Sequence, residues 1–203
     1  MKTAKSLERL GTETAFSVLA EAKKLESQGK EMIHLGLGQP DFKTPKHIVE
    51  AAKKALDDGH HGYVLSNGIL ECRQAVTRKI KKLYNQDIDP ERIIIMPGGK
   101  PTMHYAIQCF GEPGVEIIHP TPAFPIYESM INFTGSTSVP YDLTKDKDLK
   151  FNPEEILSLI TEKTRLLILI NPNNPTGSFV ERDAIDKLAE GLKKHPHVTI
   201  LSD

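Results

Sequence analysis

A chain of 203 residues, 38% hydrophobic and 26% charged, is long enough for one ordinary domain with a real core and has the composition of a soluble globular protein. Lys+Arg 26 against Asp+Glu 27 gives a formal net charge of -1, which offers no support for nucleic-acid or membrane-surface binding, since both favour a basic excess. Cys72 and Cys109 form neither a metal-ligand spacing nor a disulfide framework, the N-terminus lacks the apolar run of a secretory signal, and no apolar stretch approaches the roughly 20 residues of a membrane helix. The expectation is a cytoplasmic protein.

In chain order, Leu7 to Ser27 reads as one helix closed by Gly29, and Met32-Ile33-His34-Leu35 leads into the loop Gly36-Leu37-Gly38-Gln39-Pro40. Pro45 opens a second helix, with Ile48, Ala51, Ala52, Ala55 and Leu56 on one face and Gly59 as its stop. A third covers about Ile69 to Tyr84. From there the pattern repeats as strand, turn, helix. Ile93-Ile94-Ile95-Met96 reads as a short buried strand, broken at Pro97-Gly98-Gly99 and followed by a helix with Pro101 in its first turn. Val115 to Ile118 is the next strand, Ser136 to Val139 a weaker one, and Pro153 opens a helix through Ile160. Leu166 to Ile170 is the most apolar strand candidate; a helix across Ile185 to Leu192 and a last strand from Val198 to Leu201 complete the series. Apolar strands separated by helices indicate a mostly parallel sheet covered on both faces, in which ligands sit at the carboxyl ends of the strands.

Two of those ends are unusual. Gly98-Gly99-Lys100 places a tight turn before a helix whose unpaired N–H groups suit an anion, although a plain strand–helix turn reads the same way. No dinucleotide fingerprint or P-loop pattern is present, which disfavours a nucleotide-binding domain. Asn171-Pro172-Asn173-Asn174-Pro175-Thr176-Gly177 is a stiff loop able to aim an asparagine amide, or simply a rigid turn closed by its own side chains. His60 and His61, adjacent beside Gly62, would point to opposite faces of an extended segment and read as solvated loop rather than metal ligands. No metal site is expected.

The proline-rich string resembles the Asn-Pro-x-Asn-Pro-Thr-Gly motif of class I aminotransferases, and other segments agree with it in order. Gly36-Leu37-Gly38-Gln39-Pro40-Asp41-Phe42 resembles the family's N-terminal Gly-x-Gly-x-Pro-Asp-Phe loop. Tyr63, Gly68, Glu71 and Arg73 resemble its Tyr…Gly-x-x-Glu-Leu-Arg segment, with Cys72 in place of Leu. Pro122-Ala123-Phe124 resembles its Pro-x-aromatic segment, and Ser202-Asp203 its Ser-Asp pair. The likeness covers essentially the whole chain and is to the N-terminal portion of pyridoxal-phosphate (PLP) aminotransferases of class I and II.

That resemblance implies an α/β protein of PLP-dependent transferase fold type I. Residues 1–44 would form an N-terminal arm and part of the small domain, and 45–203 the first part of the PLP-binding large domain. It implies phosphate contacts from Gly98, Gly99 and Lys100, the last through its backbone N–H, and ring stacking by Phe124. Asn174 would meet the cofactor phenolate and, with Gly38, the substrate; Asp203 would meet the pyridine nitrogen. Tyr63 would reach the phosphate of a partner subunit in a homodimer. Pro101 stands where many relatives carry Gln and removes one helix N–H, and Phe124 stands where Trp or Tyr is frequent. The implied activity is transfer of an amino group between an amino acid and a 2-oxo acid by a PLP ping-pong cycle. The family's Schiff-base lysine and its α-carboxylate arginine lie beyond Asp203, so the chain as given is expected to be a fragment, inactive alone and with open sheet edges. Other PLP chemistry on the same scaffold, such as a C–S lyase or a synthase, and a non-catalytic truncated paralogue stay open as alternatives.

Overall fold

Short runs of Ile, Leu and Val pair side by side into a parallel sheet, and the helices between them cover both of its faces. The computed structural model describes residues 2–11 and 14–203. The chain divides into two units: Gly99–Asp203 with the N-terminal residues up to Thr14, and Ala15–Gly98.

The first unit holds the sheet. Its strands are β1 (Glu116–Thr121), β2 (Thr137–Asp142), β3 (Thr164–Leu169) and β4 (Thr199–Ser202), in the order β2-β1-β3-β4 and all parallel. Alternation along the strands divides the core. Ile117, Leu166, Ile168 and Ile170 face one side, with Ile107, Tyr127, Met130 and Ile131 from the helices there; Ile118 and Leu167 face the other, with Ile156, Leu188 and Leu192. Each buried aliphatic side chain contributes on the order of 1.5–3 kcal/mol.

Following the numbering of the helices along the chain, α1 (Thr14–Ser27), α2 (Lys46–Asp57) and α3 (Leu70–Tyr84) belong chiefly to the second unit, while α4 (Gly99–Phe110), α5 (Ile126–Thr134), α6 (Pro153–Ser158) and α7 (Arg182–Leu192) belong to the first. The pair α6 and α7 can approach closely because position 191 is glycine: a Cβ there would stand 2.3 Å from Leu157 Cδ1. Asn152 caps α6, accepting from the Glu154 N–H at 2.9 Å, with Pro153 in its first turn.

Four expectations need correction. The expected helix from Leu7 to Ser27 is instead a 3-10 turn, Lys5–Arg9, followed by extended backbone at Leu10 and then α1. Ile93 to Met96 is not a strand: Ile93 N–H bonds the Pro90 carbonyl at 3.1 Å and the Met96 carbonyl accepts from Gly98 N–H at 2.9 Å, both local turns. Ile95 N–H reaches the Asn67 carbonyl at 3.1 Å, and Ile94 is exposed. β-propensity alone makes no ladder when no neighbouring strand among the described residues supplies partners. A helix not anticipated, α5, runs where only a connection to Ser136 was expected; Tyr127, Met130 and Ile131 are its buried face. The apolar face expected for α2 is uncovered, since no residue of α2 is buried.

In the second unit, Arg73 is buried to 2% exposure. Its guanidinium donates to the carbonyls of Gly68 at 3.2 Å and Pro90 at 3.0 Å and to Glu91 Oε1 at 2.8 Å, tying α3 to the turn Pro90–Arg92. Gly68 itself needs to be glycine: its φ is +96° and a Cβ would stand 2.7 Å from Ile95 Cγ1. No described helix is long and apolar enough to cross a membrane.

Candidate active site at the carboxyl ends of the strands

All four strands run the same way, so their carboxyl ends share one edge of the sheet, and three of the expected site residues follow them directly. Phe124 follows β1, Asn174 lies in the loop after β3, and Asp203 follows β4. The helix α4 starts at Gly99-Lys100 in the same unit. Gly38, Tyr63 and Gly98 belong to the other unit, where each is exposed; Gly98 has a φ of +99°, and Tyr63 is fully solvent-accessible.

Asp203 is exposed but anchored twice through its backbone: its N–H donates to the Leu169 carbonyl at 2.9 Å, and its carbonyl accepts from Asn171 N–H at 3.0 Å. Its side chain is oriented by Tyr127, whose hydroxyl donates to Oδ2 at 2.5 Å. Tyr127 is completely buried, and burial first, then the bond and charge of Asp203, push its phenol well above the ordinary tyrosine range. The phenol is therefore held in its protonated form as the donor of this bond. It occupies one carboxylate oxygen and leaves Oδ1 for a second cationic or N–H donor.

The loop after β3 explains why two of its three asparagines are there. Asn171 Oδ1 accepts from Val180 N–H at 2.9 Å. Asn173 is buried, and its Nδ2 donates to Thr176 Oγ1 at 2.9 Å and to the Pro122 carbonyl at 3.3 Å, so the loop is stitched both to itself and to the segment after β1. Its Oδ1 is buried without a hydrogen-bond partner among the described residues. Turn closure thus falls to Asn171 and Asn173, and Asn174 stands exposed beside them. The peptide bonds Thr121-Pro122, Asn171-Pro172 and Asn174-Pro175 are cis.

Phe124 is half-buried, packed on the core yet presenting ring surface, and Lys100 Nζ lies 5.5 Å from its ring centroid. A cleft of about 260 Å³ runs along Phe124, with His119 and Glu128 in its wall. His119 is buried between strands: its Nδ1–H donates to the Pro120 carbonyl at 3.0 Å and its Nε2 accepts from the Ser138 hydroxyl at 2.7 Å. Burial holds the imidazole below its ordinary pKa, against the opposing pull of the Pro120 bond and the Glu128 charge.

The arrangement is a parallel α/β sheet with a fixed carboxylate, an aromatic face and an asparagine amide along one edge. Residues 30–203 match the family model for aminotransferase class I and II. The chain belongs to that family. It is 32% identical over 203 residues to the aspartate aminotransferase of Bacillus subtilis, covering 100% of this chain and 51% of that protein. It is 38% identical over 173 residues to a probable aspartate aminotransferase of Methanocaldococcus jannaschii, covering 85% of this chain and 45% of the other. The aspartate aminotransferase of Thermus thermophilus solved with maleate superposes with a TM-score of 0.94 at 30% identity, over 100% of this chain and 53% of that one. The fold is therefore fold type I, and the chain spans about half the length of the curated relatives it matches.

Within this aminotransferase family member, sequence reasoning passed over Tyr127 and Asn173. Tyr127 was visible only as the last residue of Pro122-Ala123-Phe124-Pro125-Ile126-Tyr127, and its partner lies 76 residues away. The one usable signal was periodicity: Tyr127, Met130, Ile131 and Thr134 keep the i, i+3, i+4, i+7 spacing of a buried helical face. Asn173 occupies the unspecified position of the Asn-Pro motif, and its role depends on the carbonyl of Pro122, which no local pattern reveals.

Proposed function

We propose that this chain is the first part of an aminotransferase that moves an amino group between an amino acid and a 2-oxo acid using PLP in a ping-pong cycle. The observation that carries the reading is the carboxylate of Asp203, held by the buried Tyr127 hydroxyl at the carboxyl end of β4. The donor set fits PLP: a fixed carboxylate for a ring N–H, a half-buried aromatic face, an exposed amide, and a helix start for a phosphate.

PLP, when bound, supplies a ring that accepts electron density from the substrate α-carbon. In this reading Asp203 holds a proton on the ring nitrogen through a charge-assisted hydrogen bond of roughly 1.5–3 kcal/mol. Tyr127 keeps that carboxylate in one rotamer. Phe124 stacks on the ring, and Asn174 donates to its phenolate oxygen. Gly98, Gly99 and the Lys100 backbone N–H receive the phosphate at the start of α4, where the helix dipole favours an anion. Gly38, with Asn174, takes the substrate side, and Tyr63 reaches the phosphate of a second subunit in a homodimer. Residues 1–44 then serve as arm and partial small domain, and 45–203 as the cofactor-binding part. The lysine that holds the cofactor covalently is placed by this reading outside the 203 residues.

The test is a half-reaction on the full-length protein. Loaded with PLP and given an amino acid without any acceptor, it should release a stoichiometric amount of the 2-oxo acid and keep the amino group on the cofactor. Continuous turnover of one substrate with elimination of a thiol would replace the transaminase reading by a lyase. No PLP uptake at all would remove both.

A further inference from the structure

The N-terminal residues Lys5–Gly11 lie in the same unit as the sheet and grip one helix, α5, at two places. Arg9 donates from Nε to the Asn132 carbonyl and from Nη2 to the Phe133 carbonyl, each at 2.8 Å. One turn earlier, Gly11 N–H donates to Ser129 Oγ at 3.0 Å and the same hydroxyl donates back to the Gly11 carbonyl at 3.2 Å. Gly135, with φ +81°, ends α5 beside the guanidinium; a Cβ there would stand 3.6 Å from Nη2. The Asn132 carbonyl also accepts from the Gly135 N–H at 3.1 Å; carbonyls at a helix C-terminus carry negative partial charge, so a forked cation is a natural further cap.

We infer that this segment is a clasp that fixes the axial position of α5, with Arg9 as a positioning residue for the Tyr127–Asp203 pair. The inference rests on the reading of Asp203 as the ring-nitrogen partner of PLP. The physical case starts from the length of α5. Nine residues do not hold a helix by themselves, so tertiary contacts must place it. Its inner face, Tyr127, Met130 and Ile131, packs on the sheet. Apolar packing is non-directional and resists sliding along the helix axis weakly compared with hydrogen bonds. A slip of one residue moves a helix about 1.5 Å along its axis, enough to break a Tyr127–Asp203 bond of 2.5 Å. Arg9 and Gly11 hold the outer face through directional bonds to fixed backbone points, so they set what the packing leaves free.

Two measurements on the full-length protein test this, using Arg9→Ala, Tyr127→Phe and their combination. The first needs no cofactor: amide hydrogen exchange across residues 126–134 and 182–192. The clasp predicts exchange at least about tenfold faster in α5 of Arg9→Ala, with α7 unchanged. Unchanged α5, or equal acceleration in both helices, overturns it. The second is the dissociation constant for PLP. Arg9→Ala should raise it about fivefold in the parent and less than about twofold once Tyr127 is Phe, because the two act through one contact. Equal factors in the two backgrounds overturn the positioning role. If the parent takes up no PLP, the proposed function falls, and the exchange measurement alone upholds or overturns the clasp.

Discussion

The Tyr127 hydroxyl donates to Asp203 Oδ2 at 2.5 Å, joining the first turn of α5 to the residue that follows β4. A buried phenol and an exposed carboxylate make an unequal pair: the phenol cannot ionise without leaving a charge in the core, while the carboxylate stays in water on one side. The direction of the bond is thereby fixed, with Tyr127 always the donor.

Alkaline stability follows from that inequality. The phenols of Tyr127 and Tyr141 are both raised above the ordinary value of 10.0 by burial, Tyr127 also by Asp203. A raised pKa means that the unfolded chain loses its protons first, so the stabilisation is fully present below about pH 10 and is lost as pH rises further. Urea unfolding at pH 9 and pH 11 should show a steep loss in the parent and a shallower one in Tyr127→Phe and Tyr141→Phe. Equal slopes in all three proteins would refute the assignment.

The acid side is expected to depend on His119, whose imidazole burial lowers from 6.5. A folded state that prefers the neutral ring is stabilised above the unfolded value and loses that stabilisation as pH falls through 6.5 toward the folded pKa. His119→Gln should flatten the fall in stability just below about pH 6.5, at some cost from the lost Ser138 bond. A parent protein whose stability is constant across that window would contradict this.

Gly68→Ala combines two faults, a φ of +96° and a Cβ 2.7 Å from Ile95 Cγ1. The substitution should cost about 2–3 kcal/mol. Adding Ile95→Gly removes both close atoms, Cγ1 and the Cβ at 2.8 Å, but not the backbone strain, so, measured against Ile95→Gly alone, part of the Gly68→Ala loss should be recovered. Full recovery, or none, would show that only one of the two faults operates.

Arg73 is expected to matter through its burial. Arg73→Ala leaves the carbonyls of Gly68 and Pro90 short of a donor and should cost about 3 kcal/mol. Glu91, 68% exposed, should cost distinctly less when changed to Ala, because the guanidinium keeps both carbonyls. Equilibrium denaturation that ranks the two variants the other way round would be incompatible with this packing.

What could be read from the sequence was whatever depends on local pattern. The strands at Ile117-Ile118 and Leu166–Ile168 are apolar throughout because both faces are buried, and that signal survives without any knowledge of the fold. Gly29 and Gly59, each with positive φ, stop their helices where expected. Ile93 to Met96 carries the same apolar signal and misleads, because a strand is a relation between two segments and the sequence displays only one of them. The site divides along the same line. Asn174 and Asp203 are site expectations that short strings carry, whereas Tyr127, Asn173 and Arg9 act on groups in distant parts of the chain.

The sheet order has a kinetic reading. Strands β1 and β2 are neighbours joined by a single helix, so their pairing closes a short loop. The contact between Tyr127 and Asp203 closes one of 76 residues and needs β4 docked on β3, itself docked on β1. Closure entropy grows with the length of chain enclosed, which puts this contact among the last to form. A molecule in which the phenol has found its carboxylate is one in which β1, β3 and β4 have already docked, so assembly of this contact doubles as a report that this part of the sheet is in place.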